Sequence, residues 1–225
     1  MITKRVSLLA LLACLALPAA IMAQDAGTVL SNAAKAMGIE NLKTLQYSAS
    51  GSTYSIGQSA TAGGPYPRFN IKKFVRDFDL DAFTVRQEFV TTRTDLRGGG
   101  LPIPVGAEQT QVQYINRNSQ WPAYVFLWLN PPGFIKGAMT NPSTVATETI
   151  KGKKYNVVTA RIQDKYTVRG LINQQGILER VETALDNHIV LGDAPLDADF
   201  IDYKDYGGIK FPSHILHKMG LQPAF

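Results

Sequence analysis

Residues 153–187, KKYNVVTARIQDKYTVRGLINQQGILERVETALDN, and residues 196–218, LDADFIDYKDYGGIKFPSHILHK, decide the fold of this chain. Val157, Thr159 and Arg161 alternate with Val158, Ala160 and Ile162, and Tyr166, Val168 and Gly170 with Thr167, Arg169 and Leu171. The period is two. The segments are short, rich in β-branched and aromatic residues, and punctuated by Gln-Asp, Gln-Gln-Gly and Gly-Gly, which predicts an antiparallel meander with tight connections. Its last piece, Tyr203-Lys204-Asp205-Tyr206-Gly207-Gly208-Ile209-Lys210-Phe211-Pro212, reads as strand, glycine turn and strand. The stretch shows no catalytic grouping.

Outward from it, the composition sets limits. Lys4 and Arg5, an apolar run from Val6 to Ala20 and Ile21-Met22-Ala23 before Gln24 have the form of a cleaved export signal. The run is too short for a membrane span, and no later segment approaches ~20 apolar residues. A mature, periplasmic chain starting near Ala23/Gln24 is expected. Leu11-Leu12-Ala13-Cys14 resembles a lipoprotein cleavage box, but apolar residues continue to Met22, which a lipidated N-terminus does not need. Cys14 is the only cysteine, so the mature chain would have no disulfide, thiolate nucleophile or cysteine metal ligand. About two hundred mature residues suffice for one core and one domain, 24–225. The formal charge of +5 falls by two without Lys4 and Arg5. The lysines are scattered, without the basic stripe of a nucleic-acid binder.

Taken in order, Val29, Leu30, Ala33, Ala34 and Met37 fall at helical spacing, with Asp25 at the start and Gly38 as the stop. Residues 45–52 alternate as a first strand, and 57–67 form a loop. Residues 68–94 predict a long hairpin, with Phe69, Ile71 and Lys73 on one face and Asn70, Lys72 and Phe74 on the other. Phe83, Val85, Gln87, Phe89 and Thr91 share a face on the return arm. Asp77, Asp79 and Asp81 put three carboxylates near the tip, without the glycine and closing glutamate of a calcium loop. Gly98-Gly99-Gly100 reads as a loop and not a phosphate loop, since no Lys-Ser or Lys-Thr follows. Residues 109–115 form a strand with an alternating polar side. In residues 121–139 both tryptophans and Pro131-Pro132 predict a short helical plug. That plug packs on a sheet, lines an apolar cavity, or does both. Residues 186–195 read as a loop.

The chemistry is sparse. His214 and His217 have an odd spacing, so on a strand they point to opposite faces and make a poor metal pair. Glu179 and Glu182, and Asp199 and Asp202, do likewise. No nucleophile elbow and no paired-histidine helix is present.

The element order resembles the LolA-like lipoprotein-carrier fold. Residues 37–48, Pro67-Arg68-Phe69-Asn70, Arg97-Gly98-Gly99-Gly100, 132–136, Val181-Glu182-Thr183, Leu191-Gly192-Asp193 and 202–212 also resemble the N-terminal region of exported metallo-β-lactamase-fold hydrolases. The likeness implies an α+β fold: a strongly curved antiparallel sheet, or half-barrel, with an N-terminal helix and a helical plug. In that family the His-x-His-x-Asp-His zinc ligands lie in a downstream domain. No position here matches them, so no catalytic residue, metal ligand or cofactor is assigned. The chain is then expected to be a fragment or a free-standing accessory domain. Two functions follow. One is a non-catalytic module holding an apolar ligand, an acyl chain or lipidated segment, with Tyr124, Phe126, Trp128 and Phe134 lining the site. The other is part of a zinc hydrolase, with that C-terminal domain as its partner.

Overall fold

The computed structural model describes residues 25–94, 103–188, 192–220 and 222–223. The export signal with its cleavage site, Cys14, Gly98-Gly99-Gly100 and Leu191 lie outside them. Helix α1 (Ala26–Ala36) begins where Asp25 accepts hydrogen bonds from the Thr28 backbone N–H (2.9 Å) and hydroxyl (2.6 Å). It buries Val29, Leu30, Ala33 and Ala34. Gly38 ends it with φ +71°, and a Cβ there would stand 1.9 Å from the Gly208 carbonyl oxygen. The Met37 carbonyl accepts from the Lys210 N–H at 2.9 Å. The glycine turn of the last hairpin therefore holds the C-terminal end of the first helix, two segments far apart in sequence.

Strands β1 (Thr44–Tyr54), β2 (Arg68–Asp79), β3 (Thr84–Arg93) and β4 (Glu108–Ile115) form one antiparallel sheet in that order. The second sheet is a seven-stranded meander: β5 (Ser143–Ile150), β6 (Lys153–Ile162), β7 (Tyr166–Asn173), β8 (Leu178–His188), β9 (Gly192–Asp205), β10 (Lys210–Met219) and β11 (Gln222–Pro223). The expected antiparallel α+β architecture is what the chain adopts. Its strands are divided between two sheets, neither closed into a barrel. The meander keeps strict sequence order, because each connection is a hairpin.

Two expectations are corrected. Residues 186–188 and 192–195 are strand, since buried Leu185 pairs with buried Ala194 and the ladder resumes at His188 and Gly192 after a register shift. Lys73 does not share a face with Phe69 and Ile71. An extra residue at Lys72 makes β2 bulge against both neighbours, so Phe74, Arg76 and Phe78 join Phe69 and Ile71 on the inner face.

Between the sheets sits the plug: α2 (Trp121–Tyr124), a 3₁₀ turn (Val125–Leu127) and α3 (Pro131–Met139). Asn130 caps α3, accepting from the Gly133 N–H at 2.9 Å while its amide donates to the Leu127 carbonyl at 2.9 Å. Trp121 donates to the Ala184 carbonyl of β8 at 2.8 Å and stacks on Tyr166 of β7, centroids 4.1 Å apart. Phe83, in the β2–β3 turn, takes φ +53°, a left-handed conformation unusual for a bulky residue. Its ring meets Trp128 edge-on at 5.4 Å, and that burial holds the turn.

Candidate ligand groove

The register of the four-stranded sheet places its inner side chains in rows across the strands. One row is Leu45, Phe78, Val85 and Ile115; the next is Tyr47, Arg76, Gln87 and Gln113; the next Ala49, Phe74, Phe89 and Gln111; then Gly51, Ile71, Thr91 and Gln109. The first row is apolar and runs under the plug. Beyond it the apolar layer gives way to polar side chains that also face inward. The polar side of β4, Gln109, Gln111 and Gln113, is thus the inner one, while Val112 and Tyr114 (72% exposed) face out.

Arg76 is the pivot of the second row and is 2% exposed. Its Nε and Nη2 donate to the Gln87 amide oxygen at 3.0 and 2.5 Å. Its Nη1 donates to the Tyr47 hydroxyl at 3.0 Å and to the Phe126 carbonyl of the plug at 3.3 Å. The guanidinium also lies over the Phe74 ring, 5.1 Å from its centroid. Arginine can only donate, so Gln87 must present oxygen to it and NH₂ to its other neighbour. That NH₂ donates to the Gln113 amide oxygen at 2.6 Å.

Beyond this row opens a groove of about 480 Å³. Ile56, Phe69, Phe89, Ile103, Phe126 and Met219 give it apolar walls, and Arg76 and the glutamines give it a polar floor. Phe126 is the one of the four residues expected to line a site that reaches the groove. Tyr124, Trp128 and Phe134 lie in the core, the last two fully buried, packed among Phe83, Trp121 and the second sheet. Those three residues pack as the plug, while Phe126 stands at the groove wall. Arg76 was not legible as a site residue, because strict alternation puts it opposite Phe69 and only the bulge brings it in.

Other polar groups are satisfied elsewhere. Asp77 accepts from Gln46 at 2.5 Å and from Arg86 at 3.4 Å, and Asp79 from the Ala82 N–H at 2.8 Å, beside a shallow outer-face depression. Glu182, Asp197 and Asp199 surround Arg180 on the second sheet at 2.5–2.9 Å. His214 is exposed, whereas His217 is buried with its Nε2 3.3 Å from the Leu129 carbonyl. Burial, with the Arg76 charge adding to it, pulls the His217 imidazole down to about 4. Burial likewise raises the Tyr47 phenol, against the opposing effect of Arg76. Both neighbours of the guanidinium are therefore neutral near pH 7. Among the described residues no group of three or more His, Cys, Asp or Glu could hold a metal ion. No helix among them is long and apolar enough to cross a membrane.

The molecule is thus an α+β protein of two antiparallel sheets, with a buried plug and an open groove of mixed polarity. No family model matches the chain, and no curated relative does. Among solved structures it is similar to a Vibrio parahaemolyticus domain assigned to outer membrane lipoprotein sorting. The identity is 12%, over 77% of this chain and 78% of that one, with a TM-score of 0.44. Likeness at this level decides nothing about function. Nothing in the comparisons supports the hydrolase resemblance.

Proposed function

We propose that the protein is an exported, non-catalytic binding module that holds an apolar chain in the groove above the four-stranded sheet. The observation that carries this reading is the groove itself. At about 480 Å³ it falls in the ~300–1,000 Å³ range of small-molecule sites, with apolar walls from six separate parts of the chain. Burial of an alkyl chain against Phe69, Phe89 and Phe126 at roughly 25 cal/mol per Å² supplies affinity without specific polar contacts. The charged and apolar start of the sequence supports export, and the periplasm as the compartment.

Titration with the neutral probe 1-N-phenylnaphthylamine, displaced by dodecanol, tests the reading. Saturable uptake is expected, with loss of about tenfold or more in affinity in Phe89→Asp. Absence of uptake by a folded protein, or uptake unchanged in both Phe89→Asp and Ile103→Asp, overturns it.

A further inference from the structure

Arg76 is a buried cation with no carboxylate bonded to it among the described residues. Its acceptors are an amide, a phenol and a backbone carbonyl, all neutral. Of its five N–H groups four are used, and one on Nη2 has no partner among the described residues. Removing a guanidinium from water without a counter-charge costs several kcal/mol, and nothing in the second row returns that through charge pairing. The row also has a direction. Arg76 fixes Gln87, Gln87 fixes Gln113, and the Gln113 amide NH₂, at the groove wall, has no partner among the described residues. Tyr47, accepting from Arg76, keeps its own proton to give. Every free polar end in the row is a donor, and hydrogen bonds polarised from a charged end are strengthened along the chain. One end of an apolar groove is therefore positive and donor-rich.

Resting on the reading of the groove as a ligand site, we infer that its occupant is a single-chain carboxylate amphiphile. The alkyl chain lies along Phe69, Phe89 and Phe126, and the carboxylate sits against Arg76 and Gln113. A carboxylate supplies both things the row lacks, a negative charge and acceptors without donors. The Phe126 carbonyl of the plug is already bonded to Arg76.

Displacement of 1-N-phenylnaphthylamine by dodecanoate, its methyl ester, dodecanol and dodecyl phosphate tests this at neutral pH. Dodecanoate is expected to bind at least about tenfold more tightly than its ester or the alcohol, a difference of about 1.4 kcal/mol. In Arg76→Met that preference is lost, and acid, ester and alcohol displace the probe alike. Gln113→Leu, at an exposed position on an edge strand, reduces the preference and serves where Arg76→Met does not fold. Equal binding of acid, ester and alcohol overturns this inference and leaves the groove reading intact. Failure of all four to displace the probe overturns the groove reading as well. Tighter binding of dodecyl phosphate than of dodecanoate overturns the carboxylate assignment.

Discussion

The ring of Phe134 lies directly over the backbone of Gly170: a Cβ at position 170 would stand 2.2 Å from Phe134 Cε1 and 2.9 Å from Leu178 Cδ1. This contact seats α3 of the plug on the second sheet, with Phe134 fully buried. A glycine inside a strand weakens it unless something must approach closely, and here an aromatic ring does. Gly170→Ala is expected to destabilise by about 1–3 kcal/mol through overpacking. Urea denaturation measures the loss. Pairing it with Phe134→Leu is expected to recover part of it, because the second change vacates the space the methyl needs.

The Arg76–Gln87 pair predicts an asymmetry. Gln87→Leu leaves a buried guanidinium without its two-fold acceptor and is expected to cost about 2–4 kcal/mol. Adding Arg76→Met removes the stranded charge, so the double variant is expected to be more stable than Gln87→Leu alone. A double-mutant cycle in urea gives the coupling. Additive single effects would show that the row is not a unit.

Arg180 holds three carboxylates from two strands at once: Glu182, Asp197 and Asp199. Its neighbours Lys218 and Arg169 bond to Asp199 and Glu182, each of which is also bonded to Arg180. Partial burial makes this network stronger than exposed pairs, and its planar fork is what reaches both aspartates. Arg180→Met is expected to cost about 1–3 kcal/mol, and Arg180→Lys not to restore most of it. The loss should shrink between about 0.05 M and about 1 M salt, since ionic strength screens the partly exposed charges. Chemical denaturation in urea at the two salt levels checks it.

What the sequence disclosed follows from what is local. The meander, the Asp25–Gly38 helix and the proline-led α3 are each specified by residues within a few positions of one another. The groove is not. Its floor depends on a one-residue bulge at Lys72 that reverses the inward face of β2, and its trace, apolar residues passing from Phe69 and Ile71 to Phe74 and Phe78, is lost when alternation is read as unbroken. Its β4 wall carries glutamines inward and Val112 and Tyr114 outward, the reverse of what an apolar-in pattern implies. Tyr124, Trp128 and Phe134 looked like lining because aromatics serve cores and sites alike; only packing separates Phe126 from them.

His217 gives a pH prediction whose sign can be worked through. In the folded protein it is neutral, held down to about 4 by burial and by the Arg76 charge. In the unfolded chain it titrates near its ordinary value of 6.5. Between those values the unfolded chain binds a proton that the folded one does not, so stability rises with pH across that window. The contribution is fully present above pH 6.5 and is lost as the pH falls toward 4, by up to about 3 kcal/mol. His217→Leu abolishes this dependence, and its urea midpoint is expected to change less than the parent's between about pH 7.5 and about pH 4.5. His188 and His214 are present in both proteins, so the difference between the two pH profiles isolates His217. Identical profiles would mean that His217 titrates alike in the folded and unfolded chain, so that neither burial nor the Arg76 charge shifts it. A bound carboxylate at Arg76 would reduce the field that holds the imidazole neutral. Dodecanoate is accordingly expected to raise the His217 pKa toward its ordinary value, which an NMR titration of the ring resonances measures.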